Sequence, residues 1–320
     1  MRGSWWIGRV GSALLTMLGV SILIFAAVRA MPGSYSSLVL GPLATPAQKA
    51  QAAAQFGVHK SLPVQFLDWL GNGLRGNFGT SMVSGHPVRT EIASRLAPTV
   101  TLTVLALVVT LAVGVPLGVV TGSRGAGGGL PGRLGSTVGI SLPDFALGSV
   151  VVFVFSRYSL WLPSSGYVSW SQGPLESLKS LLLPALVLAV FCTAATARIT
   201  RDSVRRVLAE PHIRAAVARG ESRAHILRTH VVRNASVPVL TLVATLTAYL
   251  LGGAVIVEQL FDVPGLGSYL VLAMQRRDYA VIQACVLLAT AVFVTVSLLI
   301  DLGSGVLDPR VSTRARRAVA

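Results

Sequence analysis

Apolar residues in this chain fall into long runs separated by shorter polar stretches. A helix that crosses a hydrocarbon core about 30 Å thick needs roughly 20 apolar residues. Val10 to Val28 and Leu96 to Thr121 contain no charged residue, and Leu134 to Ser156 contains one, Asp144. Ser180 to Ala197, Ala235 to Val257 and Tyr279 to Ile300 contain none. The pattern predicts six membrane-crossing helices and an all-α, polytopic fold. The first run exceeds the roughly 7–15 apolar residues of a signal-peptide core, so it reads as a retained anchor despite the basic start at Arg2 and Arg9.

Composition agrees with a membrane location. Mean hydropathy is +0.69 and only 12% of residues are charged, against about 25% in soluble domains. The net charge of +15 raises the question of nucleic acid. Its charges lie between apolar runs rather than on a basic domain, so no nucleic-acid partner is expected. Cys192 and Cys285 lie inside apolar runs, which predicts neither a disulfide nor a metal site.

Arginine placement predicts the orientation. With both termini inside, the inner segments carry Arg2, Arg9, Arg124, Arg133, nine arginines between 198 and 234, and Arg310, Arg314, Arg316 and Arg317. These make 17 of the 27 basic residues. An even number of spans puts both ends on one side, and the bias puts that side in the cytoplasm.

The segments between the spans divide the chain. Residues 1–30 hold the first span, 31–95 form an extracytoplasmic segment expected to fold as a small cap, 96–305 form the core, and 306–320 a basic tail. Ala47 to Phe56 reads as helix-forming. Trp161 to Gly166 reads as an interfacial turn after the third span, and Pro264-Gly-Leu-Gly267 as a turn after the fifth. The 198–234 loop carries nine arginines against Asp202, Glu210 and Glu221. Gly220 separates two amphipathic stretches, neither able to bury its apolar side alone. Their cover could be the ends of the chain's own helices, the membrane surface or another protein, and spacing leaves all three open.

Motifs sharpen this reading. Arg214-Ala215-Ala216-Val-Ala-Arg219-Gly220 resembles the Glu-Ala-Ala-x-x-x-Gly core of the loop that marks permease subunits of bacterial ABC importers, with Arg214 in place of the glutamate. His230-Val-Val-Arg-Asn-Ala-Ser-Val-Pro238 resembles the ending typical of the dipeptide/oligopeptide/nickel branch. Gly76-Asn-Phe-Gly-Thr-Ser81, Arg95 to Leu102, Gly114-Val-Pro-Leu-Gly118, Gly139 to Pro143, Gly252 to Glu258, Arg277-Asp278-Tyr279 and Leu307 to Arg310 follow in the family's order. The resemblance covers nearly the whole chain and is to the first of the two permeases of peptide importers. Met31-Pro-Gly-Ser-Tyr35 departs from the usual Leu-Pro-Gly-Asp-Pro, and Asp144 stands where the family is often neutral.

The resemblance implies a type I importer permease fold with an outer cap. It also implies a second homologous permease, two ATPase subunits, an extracytoplasmic substrate-binding protein, membrane lipid and a peptide substrate. The same scaffold is known to carry nickel, glutathione or other small solutes. The segment from Glu210 through Arg214, Ala215, Ala216 and Arg219 to Gly220 would form the helix that docks on an ATPase, with Ala215 and Ala216 permitting close approach. Asp144 is a candidate for the pathway, because a lone carboxylate in a span costs about 2.5–3.5 kcal/mol by insertion scales. Glu258 and Asp262 are candidates for an outer gate. ATP and Mg would be held by the partner ATPases, with no cofactor in this chain: the lysines, Lys49, Lys60 and Lys179, follow Gln48, His59 and Leu178, so none completes a phosphate-binding Gly-Lys-Ser/Thr motif. An intramembrane hydrolase would want histidine or lysine within spans, and His59, His86, His212, His225 and His230 all lie outside them. A scaffold that moves no solute is the other alternative.

Overall fold

The computed structural model describes residues 3–30, 45, 60–124, 130–158 and 161–307. The helix expected at Ala47 to Phe56 and the arginines of the tail lie outside these residues. The described residues are helical apart from turns and one isolated bridge, Thr80 to Pro87.

Helices α1 (Gly3–Ala30), α2 (Leu62–Leu74), α3 (Val88–Ser123), α4 (Leu130–Ser141) and α5 (Asp144–Tyr158) are followed by α6 (Pro174–Leu208) and α7 (Pro211–Ala218). Then come α8 (Arg223–Ile226), continued by a π turn over Leu227–Val231 into α9 (Val232–Leu260), and α10 (Leu266–Arg276) and α11 (Tyr279–Leu307). Among the described residues four segments, in α1, α3, α6 and α11, are long and apolar enough to cross a membrane on their own. The α4–α5 pair is a fifth if taken together. α9 is 29 residues long, and its Thr245–Leu260 stretch is a shorter apolar helix. Each expected run is thus helical, with three corrections of extent.

The third run is not one straight helix. It breaks between Ser141 and Asp144, with an angle of 95° between the two parts. Pro143 lacks an N–H and pushes Leu142 away from helical geometry, so α4 ends at Ser141, inside the Gly139 to Pro143 motif. Pro98, Pro116, Pro184 and Pro238 stay inside helices. The second correction is that α3 begins at Val88, eight residues before the apolar run, with Glu91 in its first turn. The third is that α6 extends through 35 residues, about 52 Å at 1.5 Å per residue, and so carries its end well beyond a 30 Å core. Pro264 to Gly267 is not a free turn either, because α10 starts at Leu266 on the N-cap Gly265.

The described residues form two compact units, one drawn from within 3–97 and 265–294, the other from within 98–264 and 295–307. In the first, Phe25 of α1 packs edge-on against Phe66 of α2 at 5.5 Å. Val88, Ile92, Tyr269, Tyr279, Ile282 and Cys285 form its buried cluster. Ser81 donates to Asp278 at 2.5 Å, and the Tyr269 hydroxyl donates to Glu91. Leu14, Leu15 and Leu23 of α1 are exposed, as expected of a helix whose solvent is lipid.

In the second unit the core forms around α6. Leu181, Ala185, Leu188 and Cys192 are fully or almost fully buried with Leu102, Ala106, Leu250 and Val257. Gly114, Gly118 and Gly122 form a ladder on α3 against α6. A Cβ on them would lie 2.9 Å from Thr196 Cβ, 2.5 Å from Thr200 Cβ and 2.9 Å from Val204 Cβ, respectively. Small residues four apart let membrane helices approach closely, where dispersion replaces the hydrophobic drive. Both partners of the ladder advance by four, so α3 and α6 run parallel. Their ends at Ser123 and Leu208 therefore face the same side, where the Arg223 guanidinium donates to the Ser123 carbonyl.

Candidate functional site

The arginine-rich loop is mostly helical. Val204 and Val207 belong to the end of α6 rather than to a separate loop helix, which corrects the expected boundary at 198. α7 starts on Glu210, whose backbone is extended at φ −70° and ψ 146°, followed by Pro211 at a position where a missing N–H costs nothing. The Glu210 carboxylate lies 3.0 Å from His212 Nδ1. The helix closes at Gly220, which has φ +80°, a left-handed turn that favours glycine.

Periodicity within α7 fixes its faces. Ile213 and Ala216, three residues apart, are buried with Val204, Val207, Ile226 and Val231. Burial of an isoleucine side chain stabilises by about 1.5–3 kcal/mol, enough to seat two turns of helix against α6. Arg214, Ala215, Val217 and Ala218 are exposed, as are Arg219 and Gly220 beyond the helix. The chain's own helix ends therefore cover one side of α7 and leave the other open. Ala216 serves the inner face at 0% exposure, so of the two alanines only Ala215 is available on the outer one.

A polar clasp beside Gly220 had no clear sign in the sequence. Glu221 accepts from Arg219 at 2.7 Å and lies 3.3 Å from His230 Nε2. The Arg219 hydrogen bond holds its carboxyl below the usual carboxylate range, opposed by loss of hydration and assisted by His230. The His230 ring stands 5.9 Å from that of His212. The clasp joins the exit of α7 to the π turn that leads into α9. Alternation of charge in 198–234 hinted at pairing without indicating the partners.

Asp144 heads α5 at the break in the third run. Its Oδ2 accepts from the Tyr249 hydroxyl at 2.7 Å, and Tyr249 stacks on Phe191 with ring centroids 4.4 Å apart. Asp144 is half-buried and Tyr249 is 36% exposed. A carboxylate at the start of a helix also meets the positive end of its dipole. The carboxylate thus keeps a hydrogen-bond partner and an open side.

The two outer acids differ from each other. Glu258 is 0% exposed, and its Oε1 accepts from Thr99 of α3 at 2.6 Å. In this conformation it ties α3 to α9 and offers no surface to a ligand, unlike the accessible gate residue expected. Asp262 is exposed in a left-handed turn with φ 53°. The structure does not bring Asp144, Glu258 and Asp262 into one site. Among the described residues no group of three His, Cys, Asp or Glu side chains could hold a metal.

Comparisons with known proteins add the family. Residues 114–313 match the family described as "Binding-protein-dependent transport system inner membrane component". Residues 4–103 match its companion N-terminal family. The "Probable peptide ABC transporter permease protein y4tP" of Sinorhizobium fredii is 38% identical over 311 residues, covering 97% of this chain and 99% of that protein. The "Glutathione transport system permease protein GsiC" of Salmonella typhimurium is 38% identical over 302 residues, covering 92% and 94%. The protein of the same name from Escherichia coli is 37% identical over 317 residues, covering 95% and 97%. A crystal structure of an amino acid ABC transporter with histidines superposes with TM-score 0.54 at 16% identity, over 67% of this chain and 93% of that one. That likeness bears on fold alone. The broken third run, the α3–α6 ladder and the seated α7 thus sit on a type I permease scaffold, and the chain belongs to the inner membrane component family of binding-protein-dependent transport systems, as a permease subunit of an ABC importer.

Proposed function

We propose that this permease pairs with a second, homologous permease to line the pathway of a di- or oligopeptide importer, and that α7 is its docking point for a separate ATPase. The observation that carries the docking reading is the division of α7. Ile213 and Ala216 fix it to the end of α6, while Arg214, Ala215, Val217 and Ala218 lie open at the end of a helix that crosses the membrane. A push on the open face would pass into α6 as a rigid body, because the hinge after α7 is confined to Gly220 and clasped by Arg219, Glu221 and His230. ATP and Mg would be held by two ATPase subunits, with substrate delivered by an extracytoplasmic binding protein. The termini and α7 would then face the cytoplasm, in keeping with the arginine bias.

Alternating access follows from differential binding. Moving a two-state pathway from 1:99 to 99:1 needs about 5.5 kcal/mol of differential affinity, which ATP and the loaded binding protein would supply together. Asp144 and Tyr249 would meet cargo in the pathway. The peptide reading is supported by the printed function of the Sinorhizobium relative. Glutathione is a second reading, favoured by the Salmonella and Escherichia relatives. Uptake of labelled di- and tripeptides, glutathione and nickel by proteoliposomes holding the full complex and its binding protein tests both. ATP-dependent peptide uptake is the expected result, and uptake of nickel alone would overturn the peptide reading.

A further inference from the structure

A cleft of about 290 Å³ lies between α4 and the arginine-rich end of α6, lined by Ser136, Thr137, Arg198, Arg201, Asp202 and Arg205. Its volume is close to the lower end of the roughly 300–1,000 Å³ typical of small-molecule sites. The four α6 residues recur at i, i+3, i+4 and i+7, which puts them on one helical face. Three guanidinium groups face one carboxylate, so the lining carries a net positive charge.

Arg201 is the centre of this lining. It is only 8% exposed, unusual for arginine unless paired. Its Nε and Nη2 both donate to Asp202 Oδ1, at 3.2 and 3.1 Å. That uses two of its five N–H donors, and the other three have no acceptor among the described residues. Arg198 and Arg205 make no ion pair among the described residues. A buried guanidinium with unused donors, flanked by two more cations, is arranged for an anion supplied from outside the chain.

We propose that this cleft binds a phosphate group. Guanidinium forks match phosphate oxygens two at a time, and the Ser136 and Thr137 side chains bring hydroxyls to the opposite wall. Arg198 directly follows the uncharged run that ends at Ala197, so the cleft opens at the height of lipid headgroups, where basic pockets between helices recognise anionic lipids. An anionic phospholipid and free inorganic phosphate both present the group. Bound there, it would bridge α4, just before the break at Pro143, to the part of α6 that seats α7.

Native mass spectrometry of the full-length permease in phosphatidylcholine nanodiscs doped with phosphatidylglycerol tests the proposal. Wild type should hold phosphatidylglycerol, and the doubly substituted Arg198→Gln, Arg205→Gln protein should hold it about tenfold less tightly, as loss of charge-assisted contacts implies. Equal retention by the two proteins would overturn the site. Asp202→Asn, which lightens the negative charge while keeping an oxygen for Arg201, should tighten binding, and an unchanged or weaker affinity would count against it. Added inorganic phosphate that displaces the lipid would identify the cleft with a soluble anion; lipid retained against phosphate would identify it with the headgroup.

Discussion

Gly118 of α3 and Thr200 of α6 approach so closely that a Cβ on Gly118 would stand 2.5 Å from Thr200 Cβ and 2.7 Å from the Ala197 carbonyl oxygen. Neither neighbour is the mobile tip of a long side chain, so the helices must separate to admit even a methyl group. Overpacking of this kind costs about 1–3 kcal/mol, occasionally more. Gly118→Ala should lower the thermal unfolding midpoint of the purified permease, and Thr200→Ala should not restore it, because the Cβ and the backbone oxygen stay. Gly19→Ala, with nothing within 4 Å, should leave the midpoint in place.

Gly220 poses the opposite case, in which space is free and conformation is not. No atom lies within 4 Å of a Cβ placed there, yet φ is +80°. A side chain in the left-handed region costs about 1–2 kcal/mol, less for asparagine. Gly220→Val should therefore tilt or loosen α7 and abolish stimulation of the complex's ATPase by loaded binding protein, while Gly220→Asn should retain most of it. Stimulation at the wild-type level in Gly220→Val would remove Gly220 from the coupling path.

Asp144→Asn keeps an oxygen for the Tyr249 hydroxyl and removes the charge. If the carboxylate meets the ammonium of a peptide, uptake of peptides with a free amino terminus should fall about tenfold, equivalent to about 1.4 kcal/mol, with little loss for amino-blocked analogues. Unchanged uptake of every peptide in the panel would take Asp144 out of the pathway.

Glu221 makes a prediction about pH. Its folded pKa lies below the usual range, chiefly through the Arg219 hydrogen bond. A depressed carboxylate adds stability that is complete above the unfolded value of about 4.3 and is lost as pH falls through the lower folded value. Amide-exchange protection over Ile226 to Val231 should therefore drop below about pH 4.3. Glu221→Gln should show weaker protection at neutral pH and a flatter profile through that window.

Much of the architecture was written in the apolar runs, because a bilayer imposes length and composition on every helix that crosses it. What hydropathy cannot report is where a helix ends once it leaves lipid. Val204 and Val207 hide among arginines, so hydropathy carries no sign that α6 extends to Leu208 and buries them with Ile213. Pro143 carried the break in the third run, yet Pro98, Pro116, Pro184 and Pro238 give the same signal inside unbroken helices. Tertiary packing, not the residue, decides between them. The positive φ at Gly220 was legible because glycine at the end of an amphipathic stretch has few other uses. Tyr249 as partner of Asp144, 105 residues away, and Thr99 as partner of Glu258, 159 away, left no local trace.

The account turns on the open face of α7 being reached from the inside by an ATPase. Val217 is 60% exposed on that face, and Cys192 and Cys285 are buried, so Val217→Cys gives a single accessible thiol. Labelling it with a membrane-impermeant maleimide should fail in intact cells, succeed in inside-out vesicles stripped of ATPase, and be blocked when the ATPase subunits are restored. Labelling in intact cells, or labelling unaffected by the ATPase, would contradict the account.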